Sequence, residues 1–390
     1  MSAIRTFIQQ PALPQYRVGV FRELASRPGI EFELVHDQTP GLANVAPDGF
    51  RSVAAPSTTL SFAGRRLHWH SAMLEGASAA RADVMVLSWN LHYLSLLPAL
   101  LKARREGVGT VLWGHGSTKV DTWYRRWLRE RVTGLADALL FYNHEHANAF
   151  IAGGSDPAKI FVAQNALDES PIVAARDSWL ARPEDLAAFQ RKNAIAGRDV
   201  VLFVSRLTEK ARVDLLIDAM PSLLQQRPNA LVVLIGGGDA EPWKLRAEAL
   251  GVSSAVRFLG PVYEEMKLAP WFVSSRLFCY PSGVGLSIIH GFHYGLPIVT
   301  DDNFALHNPE IEALRPGENG LLYRYNDARD LAAKLAKLLA DGPARRQMSA
   351  AALATARDQF NLKTMVDGFE AAIRYAYSQT QRRHASPPIG

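Results

Sequence analysis

Short apolar runs alternate with amphipathic stretches of helix length along most of the chain. In the first half, Glu31–His36, Val84–Ser88, Gly109–Trp113, Ala136–Tyr142 and Ile160–Ala163 read as strands. Between them, Arg17–Ser26, Leu94–Glu106, Trp123–Thr133 and Glu145–Ala152 read as helices. The second half repeats the pattern. Val200–Ser205, Ala230–Ile235, Val256–Leu259 and Leu277–Tyr280 are strand-like, and Val213–Gln226 and Pro242–Leu250 are helix-like. Asp327–Ala340 and Ala344–Tyr375 are helical in period. Alternation of this kind predicts an α/β fold with parallel, doubly wound sheets. The division expected is a first Rossmann-like domain over 1–170 and a second over 197–360. Residues 171–196 carry prolines, arginines and acids but no apolar strand, and read as an interdomain segment. A helix over 361–380 is expected to cross back onto the first domain, with 381–390 as a polar tail.

The most informative stretch is Leu277–Thr300: a strand, a glycine-containing loop, a short helix and a second strand. Gly283 and Gly285 permit close backbone approach. Ser287 is placed to cap the helix, and Gly295 and Pro297 end it. Such a loop offers N–H groups and the positive end of a helix dipole to an anion such as phosphate. The same residues also suit an ordinary strand-to-helix turn.

Ligands of doubly wound sheets bind beyond the carboxyl ends of the strands. That rule selects Gly114–Ser117, Arg206, Gly236–Asp239 and Gly283–Gly285, and predicts a cleft between the domains. Arg206 and Lys210 set two cations at one strand end, as pyrophosphate ligands or as a solvated charge cluster. His115, between two glycines, suits a sugar hydroxyl or proton transfer, or else a backbone-satisfied role. Glu310 sits at a helix start, where a carboxylate is favoured in any case. Trp123, Arg125, Arg126, Trp127 and Arg129 lie on one predicted helix. They suit a basic solvated face around a tryptophan in the core or, as the alternative, an anionic membrane surface.

Composition narrows the classes. The 390 residues are 48% hydrophobic and 21% charged, enough for two cores. One cysteine, Cys279, excludes an internal disulfide and fits a reducing compartment. The start lacks a signal-peptide apolar region, and no run reaches bilayer length, so a cytoplasmic protein, peripheral on the inner face of the plasma membrane, is expected. The net charge of +5 favours anionic partners. Zinc-finger spacing and basic runs interleaved with stacking aromatics are missing, which argues against nucleic acid. His68 and His70 lack companions for a metal site, and no metal is expected.

Together these pieces resemble the retaining glycosyltransferases of the GT-B fold in family 4 (glycosyltransferase group 1). The resemblance rests on Ser205-Arg-Leu-Thr-Glu-Lys210, Asp214-Leu-Leu-Ile-Asp-Ala219, Ile235-Gly-Gly-Gly-Asp239, Phe258-Leu-Gly260, Gly295-Leu-Pro-Ile-Val299, Pro309-Glu-Ile311 and Gly317-Glu-Asn-Gly-Leu-Leu322. It implies two Rossmann-like domains facing across a cleft. Sugar would pass from a nucleoside-diphosphate sugar to a saccharide or polyprenyl-diphosphate-linked acceptor, in cell-surface polysaccharide assembly. Arg206 and Lys210 would hold the diphosphate and His115 would act on the acceptor side. Gly237, Gly283, Val284, Gly285, Leu286, Ser287, His290 and Glu310 would bind the donor. Gln10–Arg17 would line the acceptor side. Two departures stand out. Ser282 and His290 occupy the positions of the usual glutamate pair. The family lysine position is Ala211, flanked by Lys210 and Arg212, and Lys210 is taken as the diphosphate cation with Arg212 as the alternative. A sugar-nucleotide epimerase and a non-catalytic nucleotide-sugar-binding protein are the competing functions.

Overall fold

The computed structural model describes residues 2–38, 43–62, 65–116 and 123–385. It divides into two units: Met1–Asn165 with Leu362–Gly390, and Ala166–Asn361. In the first unit a seven-stranded parallel sheet contains β1 (Ile4–Gln10), β2 (Ile30–His36) and β3 (Ser52–Ala54). A separate antiparallel ribbon pairs β4 (Thr58–Phe62) with β5 (Arg65–Trp69). The sheet continues with β6 (Val84–Ser88), β7 (Gly109–Gly114), β8 (Ala138–Phe141) and β9 (Ile160–Val162). Its order is β3-β2-β1-β6-β7-β8-β9. Helices α1 (Gln15–Ala25), α2 (Ala72–Gly76), α3 (Leu96–Glu106), α4 (Trp123–Leu135) and α5 (His144–Ala152) belong to this unit.

β1 is an interior strand, paired on both sides, and the hydrophobic pattern did not announce it. Arg5, Thr6, Gln9 and Gln10 interrupt its apolar run. Gln9 and Gln10 are buried because they pair across to Ser88 of β6, whereas Arg5 is exposed. Ser88 donates its N–H to Gln9 Oε1 (3.3 Å) and its hydroxyl to the Gln9 carbonyl (3.0 Å). Arg5 is tied to Asp83 at 2.6 Å. A buried strand need not read as apolar when its polar atoms find partners.

The second unit is a six-stranded parallel sheet of β10 (Asp199–Val204), β11 (Ala230–Ile235), β12 (Val256–Gly260), β13 (Leu277–Cys279), β14 (Ile298–Asp301) and β15 (Gly320–Tyr323), in the order β12-β11-β10-β13-β14-β15. β10 and β11 are nearly all apolar and buried, as the pattern predicts for strands covered on both faces. Its helices are α6 (Glu169–Leu180), α7 (Pro183–Lys192), α8 (Val213–Gln226), α9 (Glu241–Ala249), α10 (Glu265–Val273), α11 (Ser287–His293), α12 (Ala328–Ala340) and α13 (Gly342–Asp358).

Three expectations are revised. Residues 171–196 are no linker: α6 and α7 pack on α10 through Trp179, Phe189 and Trp271, with ring centroids 5.7 and 5.0 Å apart. The long helix over 344–375 is broken, because Phe360 is buried and Asn361 turns its side-chain amide onto the Arg357 carbonyl at 2.6 Å. The helix beyond the break, α14 (Leu362–Ala385), packs within the first unit and extends past the expected start of the polar tail. Phe369 meets Trp113 edge-on at 4.4 Å, and Asp367 pairs with Arg27 at 2.8 Å.

Candidate functional site

Each unit has one place where strand order reverses, between β1 and β6 and between β10 and β13. A doubly wound sheet opens a crevice at such a point. The candidate residues gather at these two places.

In the first unit the ends of β1, β6 and β7 open into a pocket of about 340 Å³. Gln10, Pro11, Arg17, Ser88, Trp89 and His115 are among its walls, with Arg129 at its side. His115 is exposed at the pocket and lies 4.8 Å from the Tyr142 ring and 6.0 Å from the His146 ring. Desolvation by the pocket walls, then the charges of His146 and Arg17, lower its pKa to about 4. The imidazole is therefore neutral at pH 7, with one nitrogen to donate and one to accept. Arg17 is only 7% exposed and lies 4.5 Å over the Trp113 ring. Trp113, Tyr142 and the place of Arg17 beneath them escaped sequence reasoning, since only the fold brings these three segments together.

In the second unit, Arg206 follows β10 and Lys210 stands in a short turn after it, both exposed. Gly236 is required after β11, because any side chain there would collide with the Ser205 carbonyl. The loop after β13 carries Gly283 at φ +68°, and a Cβ there would lie 2.8 Å from Lys210 Cε. Glycine at this position lets the lysine stem lie along the loop. Lys210 Nζ donates to Asn308 Oδ1 at 3.3 Å. Among the described residues neither Arg206 nor Lys210 has a carboxylate partner. Arg212 differs: its guanidinium is held by Asp214 at 2.9 Å and by Asn326. Of the three cations of this segment, Arg206 and Lys210 are open and Arg212 is structural.

The remaining loop residues divide likewise. Gly237 passes its carbonyl to the Leu207 N–H at 2.8 Å, joining the two strand ends. Val284 is fully buried and its N–H is spent on His307 Nδ1 at 3.1 Å, while His307 Nε2 lies 3.1 Å from the Asp301 carbonyl. His307 therefore anchors the loop from beneath, a role the sequence did not signal. Leu286, rather than Ser287, occupies the cap position of α11, and no side chain caps that helix. Gly285 faces Asn308, and Glu310 is buried in the short 3-10 turn Pro309–Ala313. His290 is joined to Glu265 on α10 at 2.9 Å, and Tyr294 donates to the same oxygen at 2.5 Å. Burial alone would raise the Glu265 pKa, but His290 and Tyr294 outweigh it and lower it. A carboxylate thus stands beside position 290, supplied from α10 as the partner of His290.

On α4, Trp127 is 52% exposed, with the Arg131 guanidinium 5.1 Å over its ring. The side chains of Trp123, Arg125 and Arg126 lie outside the described residues, as does Ser117. Among the described residues no helix is long and apolar enough to cross a membrane, and no cluster of three metal-type ligands occurs.

The chain is similar to known proteins in these terms. It is 34% identical over 225 residues to the D-inositol 3-phosphate glycosyltransferase of Nocardia farcinica, covering 54% of this chain and 49% of that one. It is 31% identical over 156 residues to the phosphatidyl-myo-inositol mannosyltransferase of Mycobacterium leprae, covering 39% and 40%. These matches span about half the length of the curated relatives or less. Among solved structures, Anabaena HepE in complex with UDP aligns with a TM-score of 0.71 at 16% identity, over 96% of this chain and 100% of that one. The two parallel-sheet units are thus those of the GT-B glycosyltransferase fold, and within the second unit residues 198–341 match the family described as Glycosyl transferases group 1.

Proposed function

We propose that the chain is a retaining glycosyltransferase, moving a sugar from a nucleoside-diphosphate sugar to a saccharide acceptor carried on a lipid. The setting we propose is cell-surface polysaccharide assembly on the cytoplasmic side of a membrane. The observation that carries the reading is the pair Arg206 and Lys210. Both stand at the strand reversal of the second unit without a carboxylate partner among the described residues, with Lys210 laid against Gly283. Cations left open at a switch-point loop suit a diphosphate. The glycosyltransferase activities of the relatives and the UDP bound to HepE support the same ligand class.

In this reading the bond from the sugar C1 to the diphosphate breaks, and the charge gathering on the leaving oxygens is met by Arg206 and Lys210. Preorganised cations of this kind stabilise the transition state more than the ground state. They do the work that a metal does elsewhere, so no metal is required. Arg212, already neutralised by Asp214, is not the second cation. His290, oriented by Glu265, and the buried Glu310 contact the donor. His115 offers a neutral imidazole to a sugar hydroxyl. Trp127 with Arg131 supports a peripheral contact with an anionic membrane.

The test is transfer itself. The protein is incubated with UDP- and GDP-sugars and a polyprenyl-diphosphate-linked saccharide, and the released nucleotide and the anomeric configuration of the product are measured. Release of nucleoside diphosphate with the donor configuration kept is the expected result. Sugar nucleotides that bind without transfer, or a product of inverted configuration, would refute the reading.

A further inference from the structure

Arg17 sits too deep to be a surface cation and has no anion of its own. At 7% exposure a guanidinium ordinarily meets a carboxylate, because an unpaired buried charge is costly. Arg17 meets none among the described residues. Its contacts are ring faces: Trp113 at 4.5 Å, Tyr16 at 5.2 Å and Tyr142 at 5.4 Å. Cation–π contact offsets part of the cost but leaves the in-plane N–H donors unused. The indole N–H of Trp113, in the same wall, is buried without a partner. Among the described residues no aspartate or glutamate lines the pocket, and Arg129 lies in its wall. At about 340 Å³ the pocket has room for a small polar ligand.

From this arrangement we infer that the pocket of the first unit binds a phosphate ester carried by the acceptor, held in a forked contact by Arg17. A buried guanidinium with no carboxylate partner among the described residues, beside an unpartnered indole N–H, matches an oxyanion better than a neutral sugar. The aromatic rings fix the plane of the fork and exclude water from it, which strengthens the contact. The inference rests on the reading that the first unit takes the acceptor. The phosphate belongs either to a soluble sugar phosphate or to a lipid headgroup, and the chemistry recognised is the same.

Calorimetric titration separates these cases. The full chain is titrated with glucose 1-phosphate and with neutral methyl glucoside, and its binding to phosphatidylcholine vesicles is compared with and without phosphatidylinositol. Binding should favour the phosphate-bearing probe by roughly tenfold or more in at least one arm. Glucose 1-phosphate alone would mark a soluble acceptor phosphate, and the vesicles alone a lipid one. Arg17→Met should abolish the preference while leaving UDP and GDP affinity unchanged. Arg17→Lys, which keeps the charge and loses the fork, should weaken it severalfold and serves if the methionine variant does not fold. Absence of preference in the wild type in both arms, or a preference that survives Arg17→Met or is undiminished in Arg17→Lys, would overturn the inference. Failure of the wild type to bind any nucleoside diphosphate, with phosphate binding intact, would count against the donor reading alone.

Discussion

The two units share a topology and use it in opposite ways. Both reverse strand order beside their first strand, at β1/β6 and at β10/β13. In the first unit the cation at the reversal is sunk among aromatic rings, and Gln9, Gln10 and Ser88 tie the strands together. In the second unit Arg206 and Lys210 stand exposed, and the strands beneath them are almost wholly apolar. A buried, ring-bound cation is already desolvated and held in one direction, so it selects what it binds. Exposed cations on a glycine loop are well hydrated and suit a highly charged group arriving from water. The topology fixes where each site lies, and the side chains decide which kind of ligand each favours.

The largest expected effect separates the two units cleanly. His115→Ala should reduce transfer by roughly 10²–10⁴-fold, the usual range for a positioned proton-transfer group, while nucleoside diphosphate binding to the second unit is unaffected. Steady-state transfer and nucleotide titration of the same preparation check it. Normal turnover would place the chemistry elsewhere.

Next in size is the loop. Gly283→Val introduces a Cβ 2.8 Å from Lys210 Cε at a φ of +68°. Displacing the lysine and straining the turn should weaken nucleotide binding by about 1–3 kcal/mol. Equal affinity in the variant would show that Lys210 does not act from its place on Gly283.

A smaller effect concerns stability. His115 and His293, one in each unit, both have pKa values lowered from 6.5 to about 4. For His293 the cause is burial first, then the charges of His290 and Arg176. The unfolded chain takes up a proton near pH 6.5, before the folded chain does. Stability from the buried His293 is therefore complete above that pH and is lost as pH falls towards 4. His293→Phe should remove on the order of 2 kcal/mol of the acid loss between pH 7 and 4.5, measured by urea unfolding. An acid limb as steep as the wild type would show that His293 is charged in the fold.

The same contrast explains what could be read in advance. β10, β11 and the loop after β13 were legible because apolar runs and glycines mark a strand buried on both faces and its exit. Arg206 and Lys210 were legible because they directly follow such a strand. β1 was not, since the burial of its glutamines depends on polar pairing with β6, 79 residues away in the Gln9–Ser88 pair. α6 and α7 were not, because Trp179, Phe189 and Trp271 form one cluster only after folding. Arg17 was expected on the acceptor side only as the end of the segment Gln10–Arg17, and nothing marked it as a buried cation. Its meaning comes from Trp113 and Tyr142, which only the sheet brings to it. His290 could be named as a substitute for a glutamate, but its partner Glu265 lies on a helix the pattern did not mark.

The central claim is that Arg206 and Lys210 bind a nucleoside diphosphate. Calorimetric titration of UDP and GDP into the wild type, Arg206→Ala and Arg212→Ala tests it most directly. At least one nucleotide should bind the wild type, and Arg206→Ala should weaken it by about 1.5–3 kcal/mol, the worth of a charge-assisted hydrogen bond. Arg212→Ala should leave the affinity nearly unchanged, because that cation is held by Asp214. An Arg206→Ala protein that binds the nucleotide as tightly as the wild type would contradict the account.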